Sequence, residues 1–263
     1  MSTQFHEGTA YEINGQGPDV VLIHGLGLNR HMWQWLISDL RPHYRVITYD
    51  ILGHGESKNP ESTPRLSQYA NQLARLLERC DSEDAAVAGF SLGGMIGRRF
   101  ALDYPNKLSE LTIISSAHDR TEHERAAVLK RVKQARESGP SATVEAALQR
   151  WFTPDYAGHN PDVMNLIREW VMANDPAIYP DIYRMMAEGD IELADTISAI
   201  SCPVLVITGA DDNSNSPEMA QHMAALMPNA RVEIVPGLRH MGLVEAPEKF
   251  NQPLLEFFNG HVR

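Results

Sequence analysis

The chain has 263 residues, of which 43% are hydrophobic and 22% are charged, as in an ordinary globular protein. This length suits one large α/β domain that carries an insertion. The formal net charge of −11 argues against nucleic acid or an anionic membrane as the main partner, because both carry dense negative charge. The net charge does not exclude an anionic small substrate, since a local basic pocket can lie on an acidic surface.

The N-terminus and the two cysteines predict a cytoplasmic protein. Residues 1–15 contain neither the basic stretch nor the apolar stretch of a secretory signal, and no segment reaches the ~18 apolar residues of a membrane span. Cys80 and Cys202 show no metal-ligand spacing, so we expect two reduced, buried thiols. The glycine-rich loops fit neither a dinucleotide fingerprint nor a P-loop, and we therefore expect no cofactor and no metal.

Strands and helices alternate along the first part of the chain. Continuous apolar runs predict buried strands, and segments with helical periodicity lie between them. Such alternation implies right-handed crossovers and a mostly parallel central sheet flanked by helices. In chain order, the pattern predicts strands over residues 9–13, 19–24, 44–49, 85–90 and 108–115, and helices over residues 32–40, 66–79 and 92–104.

The pattern changes between residues 119 and 200, where we find helical periodicity and no convincing strand. This block is too long for a loop and predicts a helical lid inserted over the sheet. The predicted division is a core of residues 1–118 and 201–263 with a lid of residues 119–200. Beyond the lid, the pattern predicts strands over residues 203–209 and 230–235, and helices over residues 217–227 and 247–258.

The sequence Gly89-Phe90-Ser91-Leu92-Gly93 lies where a buried strand runs into a helix. This G-x-S-x-G pattern is typical of a nucleophile elbow, a tight turn that lifts a serine above the sheet. The two glycines are small enough to fit beside the strained serine backbone. The following helix directs its N-terminus at the serine, so a developing negative charge meets free N–H groups. Ser91 is therefore the predicted nucleophile.

An attacking serine needs an imidazole as base, and the imidazole needs a carboxylate that fixes its tautomer. In a parallel sheet we expect both groups in loops at the carboxyl ends of strands. His240 follows the last predicted strand, whereas Asp211 and Asp212 both follow the strand that ends at Gly209. The chain order Ser, Asp, His is one of the orders in which catalytic triads occur.

Other residues compete for these two roles. His24 and His54 also follow strands, but only His240 lies beyond the acid loop and after the last strand. We interpret His54 as a turn residue that packs beneath the site. Asp119, which follows the strand over residues 108–115, is an alternative position for the acid.

Several segments together resemble the α/β-hydrolase fold family over nearly the whole chain. They are HGLG at residues 24–27, YDILGHGES at 49–57, GFSLGG at 89–94, TGADD at 208–212 and GLRHMGLVEAPEKF at 237–250. The resemblance implies an α/β-hydrolase fold with an α/β architecture. It also implies that Asp212 rather than Asp211 is the acid, because the family's acid lies three residues after the strand-end glycine. The implied oxyanion hole consists of the backbone N–H groups of Leu26 and Leu92.

Within this family the chain is most similar to 3-oxoadipate enol-lactonases. The similarity lies in His31-Met32-Trp33 and in the segment RWFTPDY at residues 150–156 of the predicted lid. It implies an enzyme that opens an unsaturated lactone carrying a carboxylate. Arg120 is then a candidate ligand of that carboxylate, because a guanidinium binds a carboxylate in bidentate fashion. Trp151 either walls the apolar part of the pocket or belongs to the lid core.

Three function classes are compatible with these residues. The first is a serine hydrolase that cleaves a small carboxylic ester or lactone through an acyl-serine intermediate. The second uses the same triad as a C–C bond hydrolase of ring-fission products or as a cofactor-free perhydrolase. The third is a non-enzymatic small-molecule receptor, against which a complete triad argues. The expected partner is a small molecule, with neither nucleic acid nor membrane, and a homo-oligomer stays open.

Overall fold

One eight-stranded sheet forms the centre of the computed structural model, which describes residues 2–260. The strands are β1 (Gln4–His6), β2 (Thr9–Asn14), β3 (Asp19–Ile23), β4 (Arg45–Tyr49), β5 (Ala85–Phe90), β6 (Leu108–Ile114), β7 (Val204–Gly209) and β8 (Ala230–Val235). Their order in the sheet is β1-β2-β4-β3-β5-β6-β7-β8. Two pairs, β1–β2 and β2–β4, are antiparallel, and the remaining pairs are parallel. The predicted mostly parallel sheet is therefore confirmed.

Helices cover both faces of this sheet. In the described residues they are α1 (Gln34–Leu40), α2 (Leu66–Arg79), α3 (Leu92–Asp103), α4 (Glu122–Ser138), α5 (Ser141–Trp151), α6 (Pro154–His159), α7 (Pro161–Met172), α8 (Tyr179–Ala194), α9 (Pro217–Leu226), α10 (Gly242–Glu245) and α11 (Glu248–Asn259). The predicted helix over residues 32–40 begins as a 3₁₀ turn at Arg30–Trp33 and continues as α1.

The central strands are apolar along their whole length because both of their faces are covered. Every residue of β5 and β7 is buried. Alternate residues of β3 enter different layers: Val21 and Ile23 pack in the layer that contains α2, α3 and α8, whereas Val20 and Leu22 pack in the layer that contains α1 and α11. The sheet is thus the middle of three layers, and the carboxyl ends of its parallel strands lie at one edge.

The segment between β6 and β7 contains α4 to α8 and no strand, and we call these five helices the inserted helices. Thr121 caps α4 through a reciprocal capping box with Glu124, and Thr153 caps α6 just before Pro154. Within the insertion α4 packs on α8, and α8 also packs on α3 of the sheet layer. Our division of the chain into a core domain and a lid domain stays a prediction.

Some features of the structure differ from what the sequence pattern predicts. Strand β1 was not predicted, because its three residues are largely exposed and show no apolar alternation. It pairs with β2 through a tight turn in which Glu7 and Gly8 both have positive φ. Cys80 is buried as expected, but Cys202 is only half-buried. No helix in residues 2–260 combines the length and the apolar character needed to span a membrane.

Candidate active site

Ser91 occupies the turn between β5 and α3 with φ +54° and ψ −112°. Such a conformation is uncommon outside glycine and persists only where the surroundings hold it. Here the Ser91 N–H donates to the Ile114 carbonyl at 2.8 Å, and the Ser91 carbonyl accepts from the Ser116 hydroxyl at 2.7 Å. The predicted strand–turn–helix elbow is therefore present, with its serine half-buried at the start of a helix.

Close backbone packing around the elbow explains its two glycines. A Cβ at Gly93 would lie 2.1 Å from the Ile23 carbonyl oxygen, and a Cβ at Gly89 would lie 2.2 Å from the Gly93 carbonyl oxygen. Both contacts are far below van der Waals distance and involve backbone atoms that have little freedom to move. Glycine at both positions therefore lets the start of α3 pack directly on β3 and β5.

His240 and Asp212 meet above the ends of β7 and β8. These strands end side by side, since Gly209 is in register with Val235. The His240 Nδ1–H donates to Asp212 Oδ2 at 2.8 Å, and the two side chains are 4% and 1% exposed. Asp211 is exposed, and in the described residues no hydrogen bond joins it to the imidazole. The structure thus brings Asp212, and not Asp211, to His240.

Asn215 is a further polar side chain at this pair that sequence reasoning missed. Its backbone N–H donates to Asp212 Oδ1 at 3.0 Å, and its Nδ2 donates to the Ser115 carbonyl at 2.9 Å. The same Nδ2 lies 3.2 Å from His240 Nδ1. Asn215 is 5% exposed. Because it bonds to both Asp212 and the Ser115 carbonyl, it ties the acid loop to the end of β6. Its position in the polar loop just after Asp212 was the available signal.

The loop after β3 presents the predicted oxyanion residue Leu26. The Gly27 N–H donates to His54 Nε2 at 2.9 Å, and the Asn174 side chain donates to the Gly27 carbonyl at 3.0 Å. The Leu26 amide, in contrast, donates to no acceptor within residues 2–260. Leu92 is the first residue of α3, where amides have no partner inside the helix. Leu92 is thus at the elbow, Leu26 lines the same cavity as Ser91, and the amides of both have no acceptor in the described residues.

Two buried histidines support this loop from behind. Burial lowers the pKa of His54 to about 3 and that of His24 to about 4. Neutral rings fit the hydrogen bonds observed, because His54 Nε2 accepts from Gly27 and His24 Nε2 accepts from the Ile51 N–H at 3.1 Å. His54 therefore packs beneath the site, as the sequence predicted, and is not a rival base.

A cavity of about 690 Å³, including its open mouth, lies in front of Ser91 between the sheet and the inserted helices. The described residues that line it include three arginines and no Asp or Glu. The principal lining residues are Leu26, Phe90, Ser91, Asn215 and His240 on the sheet side, and Arg120, Arg131, Arg150, Trp151, Tyr179 and Tyr183 on the other side.

Arg120 lines the cavity, as the sequence predicted from its position after β6. It is only 7% exposed, and its Nη1 donates to the Met186 carbonyl at 3.2 Å. The same Nη1 lies 3.5 Å from Asp190 Oδ1, and Asp190 Oδ2 accepts from the Arg120 backbone N–H at 2.7 Å. Burial lowers the pKa of Arg120, and Asp190 opposes that shift. Arg120 therefore already has a carboxylate partner within the protein.

Trp151 also lines the cavity, with its ring centroid 6.0 Å from that of His240. The end of α5 that carries it is attached to the loop of the base. The Met241 N–H donates to the Trp151 carbonyl at 2.9 Å, and Arg239 Nη1 donates to the Phe152 carbonyl at 3.0 Å. This part of the insertion and the His240 loop are consequently held together.

Arg131 and Arg150 reach the cavity as well, and sequence reasoning assigned neither to it. Helical periodicity was the available signal. Arg131 lies three residues after buried Val128, and Arg150 lies three residues after buried Ala147. Each arginine thus extends a buried face of its helix.

A second cleft of about 700 Å³, including its open mouth, lies beside β1, β2 and α2 and shares no lining residue with the cavity at Ser91. Its walls carry both signs of charge, including Glu7, Lys58 and Arg75, and it has no nucleophile–base arrangement. In residues 2–260, no group of three or more His, Cys, Asp or Glu side chains is arranged to hold a metal ion. The chemistry is therefore best sought at Ser91.

Comparisons with known proteins agree with this geometry. A model of the alpha/beta hydrolase fold family matches residues 18–247. Two curated relatives come from Acinetobacter baylyi. The first, (E)-2-((N-methylformamido)methylene)succinate hydrolase, is 29% identical over 93% of this chain and 91% of its own length. The second, 3-oxoadipate enol-lactonase 2, is 28% identical over 89% of this chain and 86% of its own length.

A solved structure gives the same result at the level of the fold. The malate-bound thermophilic esterase from Thermogutta terrifontis superposes with a TM-score of 0.88 at 27% identity, covering 97% of this chain and 94% of the esterase. The family model spans most of the chain, and the observed sheet and elbow agree with the expected fold. The chain therefore belongs to the α/β-hydrolase fold family.

Proposed function

We propose that the protein is a serine hydrolase that cleaves a small carboxylic ester or lactone through an acyl-serine intermediate. The observation that carries this proposal is that Ser91, at the N-terminus of α3, lines one cavity with His240, which is hydrogen-bonded to the buried Asp212. A strained serine beside an imidazole that is oriented by a carboxylate has the parts of an activated nucleophile. Similarity to an enol-lactonase supports the choice of an ester or lactone bond.

In the proposed acylation step, Ser91 Oγ attacks the carbonyl carbon and its proton passes to His240 Nε2. Because Nδ1–H is engaged with Asp212, Nε2 is the nitrogen left to accept that proton. The carbonyl electron pair moves onto oxygen, then returns as the C–O bond to the leaving group breaks. The leaving oxygen takes the proton from Nε2, and in a lactone it stays attached to the acyl chain.

The oxyanion formed in this step needs donors that are already in position. We propose the amides of Leu26 and Leu92, which have no acceptor in the described residues. Leu92 follows Ser91 at the start of α3, and Leu26 lines the same cavity. The positive end of the α3 dipole adds to their effect. In deacylation, water attacks the acyl carbon, gives a proton to His240 and releases the acid as Ser91 recovers its proton.

The inserted helices would act as a lid in this reaction, in keeping with the predicted lid of residues 119–200. They supply much of the cavity wall, including Trp151 and Tyr179, and so restrict the substrate to a small molecule. Attachment of α5 to the base loop favours a lid whose Trp151 end stays in place. We propose a cytoplasmic location, in keeping with the free thiols of Cys80 and Cys202.

The substrate is proposed to carry a carboxylate. Three arginines and no acidic side chain line the described cavity, in a protein whose net charge is −11. Both Acinetobacter relatives are named after carboxylates, succinate and oxoadipate. The esterase from Thermogutta terrifontis has malate, another carboxylate, bound. Arg120, which the sequence singled out, is one of the candidate ligands.

A panel of 4-nitrophenyl esters and small lactones, acidic and neutral, tests the proposal. Wild type should hydrolyse members of the panel, and Ser91→Ala should lower kcat by about 10⁴- to 10⁶-fold at an unchanged Tm. Ser38→Ala, at an exposed serine of α1, is the matched control and should retain wild-type activity. Hydrolysis at the wild-type rate by Ser91→Ala would rule out the triad mechanism.

A further inference from the structure

We propose that Arg131 and Arg150, together with the Tyr183 hydroxyl, form the subsite that binds the substrate carboxylate. This inference rests on the proposed function and deepens it, because it names the residues that select an anionic ester or lactone. Arg120 is then a positioning residue rather than a ligand, because its charge is already paired with the buried Asp190. Arg131, Arg150, Tyr183 and Arg120 all line the same cavity as Ser91, whereas Asp190 lies behind it.

The faces of two helices bring both arginines to the cavity. On α4, Arg131 lies between buried Val128 and Val132, so it belongs to the inward-facing stripe of that helix. On α5, Arg150 follows buried Ala147 by three residues and precedes Trp151, which contacts the His240 ring. Both guanidinium groups are therefore directed inward by the helices that carry them.

Charge distinguishes these arginines from Arg120. Asp190 is fully buried and pairs with both Arg120 and Arg125, at 3.5 and 3.3 Å. No carboxylate of the described residues lies within ion-pair distance of Arg131 or Arg150. Cations in a partly desolvated site are normally paired, because the loss of hydration must be offset. A carboxylate on the substrate would supply the missing partner.

Hydrogen bonding leaves suitable donors free. Arg131 Nε donates to the Tyr183 hydroxyl oxygen at 3.0 Å, so the Tyr183 O–H remains available to donate. Arg150 Nη1 donates to the Ala146 carbonyl at 2.7 Å, whereas its buried Nε has no partner. Burial and the neighbouring charge of Arg131 lower the pKa of Arg150. An anion between the two guanidinium groups would relieve this repulsion and use the free N–H groups in charge-assisted hydrogen bonds.

Two matched esters measure the selectivity of this subsite. They are the 4-nitrophenyl monoester of glutaric acid, which carries a free carboxylate, and neutral 4-nitrophenyl pentanoate. Arg131→Met and Arg150→Met should each lower kcat/KM for the acidic ester by roughly ten- to a hundredfold, with little change for the neutral ester. Arg131→Lys should recover part of the loss, because it restores charge without the planar fork.

Control variants separate the subsite from general effects of charge. Arg136→Met removes an exposed arginine of the same helix, which pairs with Asp181 at 2.5 Å outside the cavity, and should leave both rates unchanged. Arg120→Met should affect both esters alike. If Arg120→Met alone removed the preference for the acidic ester, the carboxylate ligand would be Arg120 and the proposed subsite would be wrong. Equal effects of Arg131→Met and Arg150→Met on both esters would likewise contradict it.

A binding measurement is independent of the chemistry. Glutarate titrated calorimetrically into the Ser91→Ala protein should bind, and the added Arg131→Met or Arg150→Met change should weaken binding by roughly tenfold or more. Unchanged glutarate affinity would overturn the subsite even if Ser91 proved essential for hydrolysis. Conversely, hydrolysis that persists in Ser91→Ala would overturn the proposed function, while the glutarate titration would still decide the subsite.

Discussion

Asp212 uses both of its carboxylate oxygens, and each has a different contact. Oδ2 accepts from His240 Nδ1, whereas Oδ1 accepts the backbone N–H groups of Ser214 and Asn215 at 2.9 and 3.0 Å. The second set of bonds fixes the orientation of the carboxylate before it meets the imidazole. This preorganisation is what an orienting acid requires, because a mobile carboxylate would not select one tautomer.

Asp212→Asn should lower kcat by about 10⁴-fold with little effect on folding. If the amide keeps its oxygen toward the Ser214 and Asn215 N–H groups, its NH₂ faces His240 Nδ1. The imidazole then carries its proton on Nε2 and loses its ability to accept one from the serine. Asp211→Asn, at the exposed neighbouring position, is the control and should remain close to wild type in a steady-state assay. A larger loss of kcat in Asp211→Asn than in Asp212→Asn would assign the role of the acid to Asp211.

The choice between these two aspartates shows where strand patterns stop being informative. Both follow β7, and apolar periodicity alone does not separate them. The turn does so, because the Asp212 N–H donates back to the Gly209 carbonyl at 3.2 Å while the Asp211 N–H donates to the Leu238 carbonyl at 2.9 Å. The spacing found in the family anticipated this turn geometry, and composition did not.

At the scale of elements, the elbow depends on how closely a helix start approaches two strands. Gly93 lies against the carbonyl oxygens of Ile23 and His24, where a Cβ would be 2.1 and 2.8 Å away. The Ile23 carbonyl, at the end of β3, cannot shift without disturbing the parallel sheet. The same approach sets the position of the first amides of α3 relative to Ser91.

Gly93→Ala should lower the free energy of unfolding by about 1–3 kcal/mol and also reduce kcat, because overpacking displaces the start of α3. Gly158→Ala is the matched control in α6, where a Cβ would meet nothing within 4 Å. It should leave kcat unchanged and raise stability by roughly 0.4–1 kcal/mol. Urea unfolding and steady-state kinetics of both variants check this. A Gly93→Ala protein as stable and active as wild type would show that the elbow tolerates a side chain.

The inserted helices were predictable as a block, but their faces were harder to assign. Proline and glycine breaks predict several helices, and the capped starts at Thr121 and Thr153 agree with them. Packing against α3 and the His240 loop decides which face of each helix meets the cavity. The sequence pattern does not specify this packing. Arg131 and Arg150 were for this reason not recognised, even though their periodicity places them on buried faces.

At the scale of the whole molecule, acidic composition coexists with buried positive charge around the cavity. The net charge of −11 therefore describes the outer surface and says little about the site. Arg98 is fully buried below the elbow, and burial together with the charge of Arg120 lowers its pKa to about 9. The apolar strand pattern predicted the parallel sheet well, whereas these charges became visible only once the helices were placed.

Buried neutral histidines should make folding sensitive to acid. His118 is 1% exposed, neither of its ring nitrogens has a hydrogen-bond partner in the described residues, and burial lowers its pKa to about 4. Since this folded-state pKa lies below the unfolded value of about 6.5, the unfolded chain takes up the proton first as the pH falls. The contribution of neutral His118 to the free energy of unfolding is therefore complete above about pH 6.5 and is lost progressively toward pH 4.

Replacing His118 by Phe should make the free energy of unfolding less dependent on pH between about 6.5 and 4.5. The slope should decrease by up to about 1.4 kcal/mol per pH unit, which corresponds to one proton. Urea unfolding at pH 7.0, 6.0 and 5.0 measures it, with His123→Phe on the exposed face of α4 as control. An unchanged slope in His118→Phe would mean that His118 takes up no proton on unfolding.

Covalent labelling tests the role of Ser91 most directly. Diethyl 4-nitrophenyl phosphate transfers a diethylphosphoryl group to an activated oxygen nucleophile and releases 4-nitrophenolate. Mass spectrometry of the digested protein should find one such group per chain, on Ser91, with labelling and loss of esterase activity advancing in parallel. Ser91→Ala should not be labelled. Inactivation with the group on another residue, or full activity with Ser91 completely labelled, would contradict the assignment of Ser91 as the nucleophile.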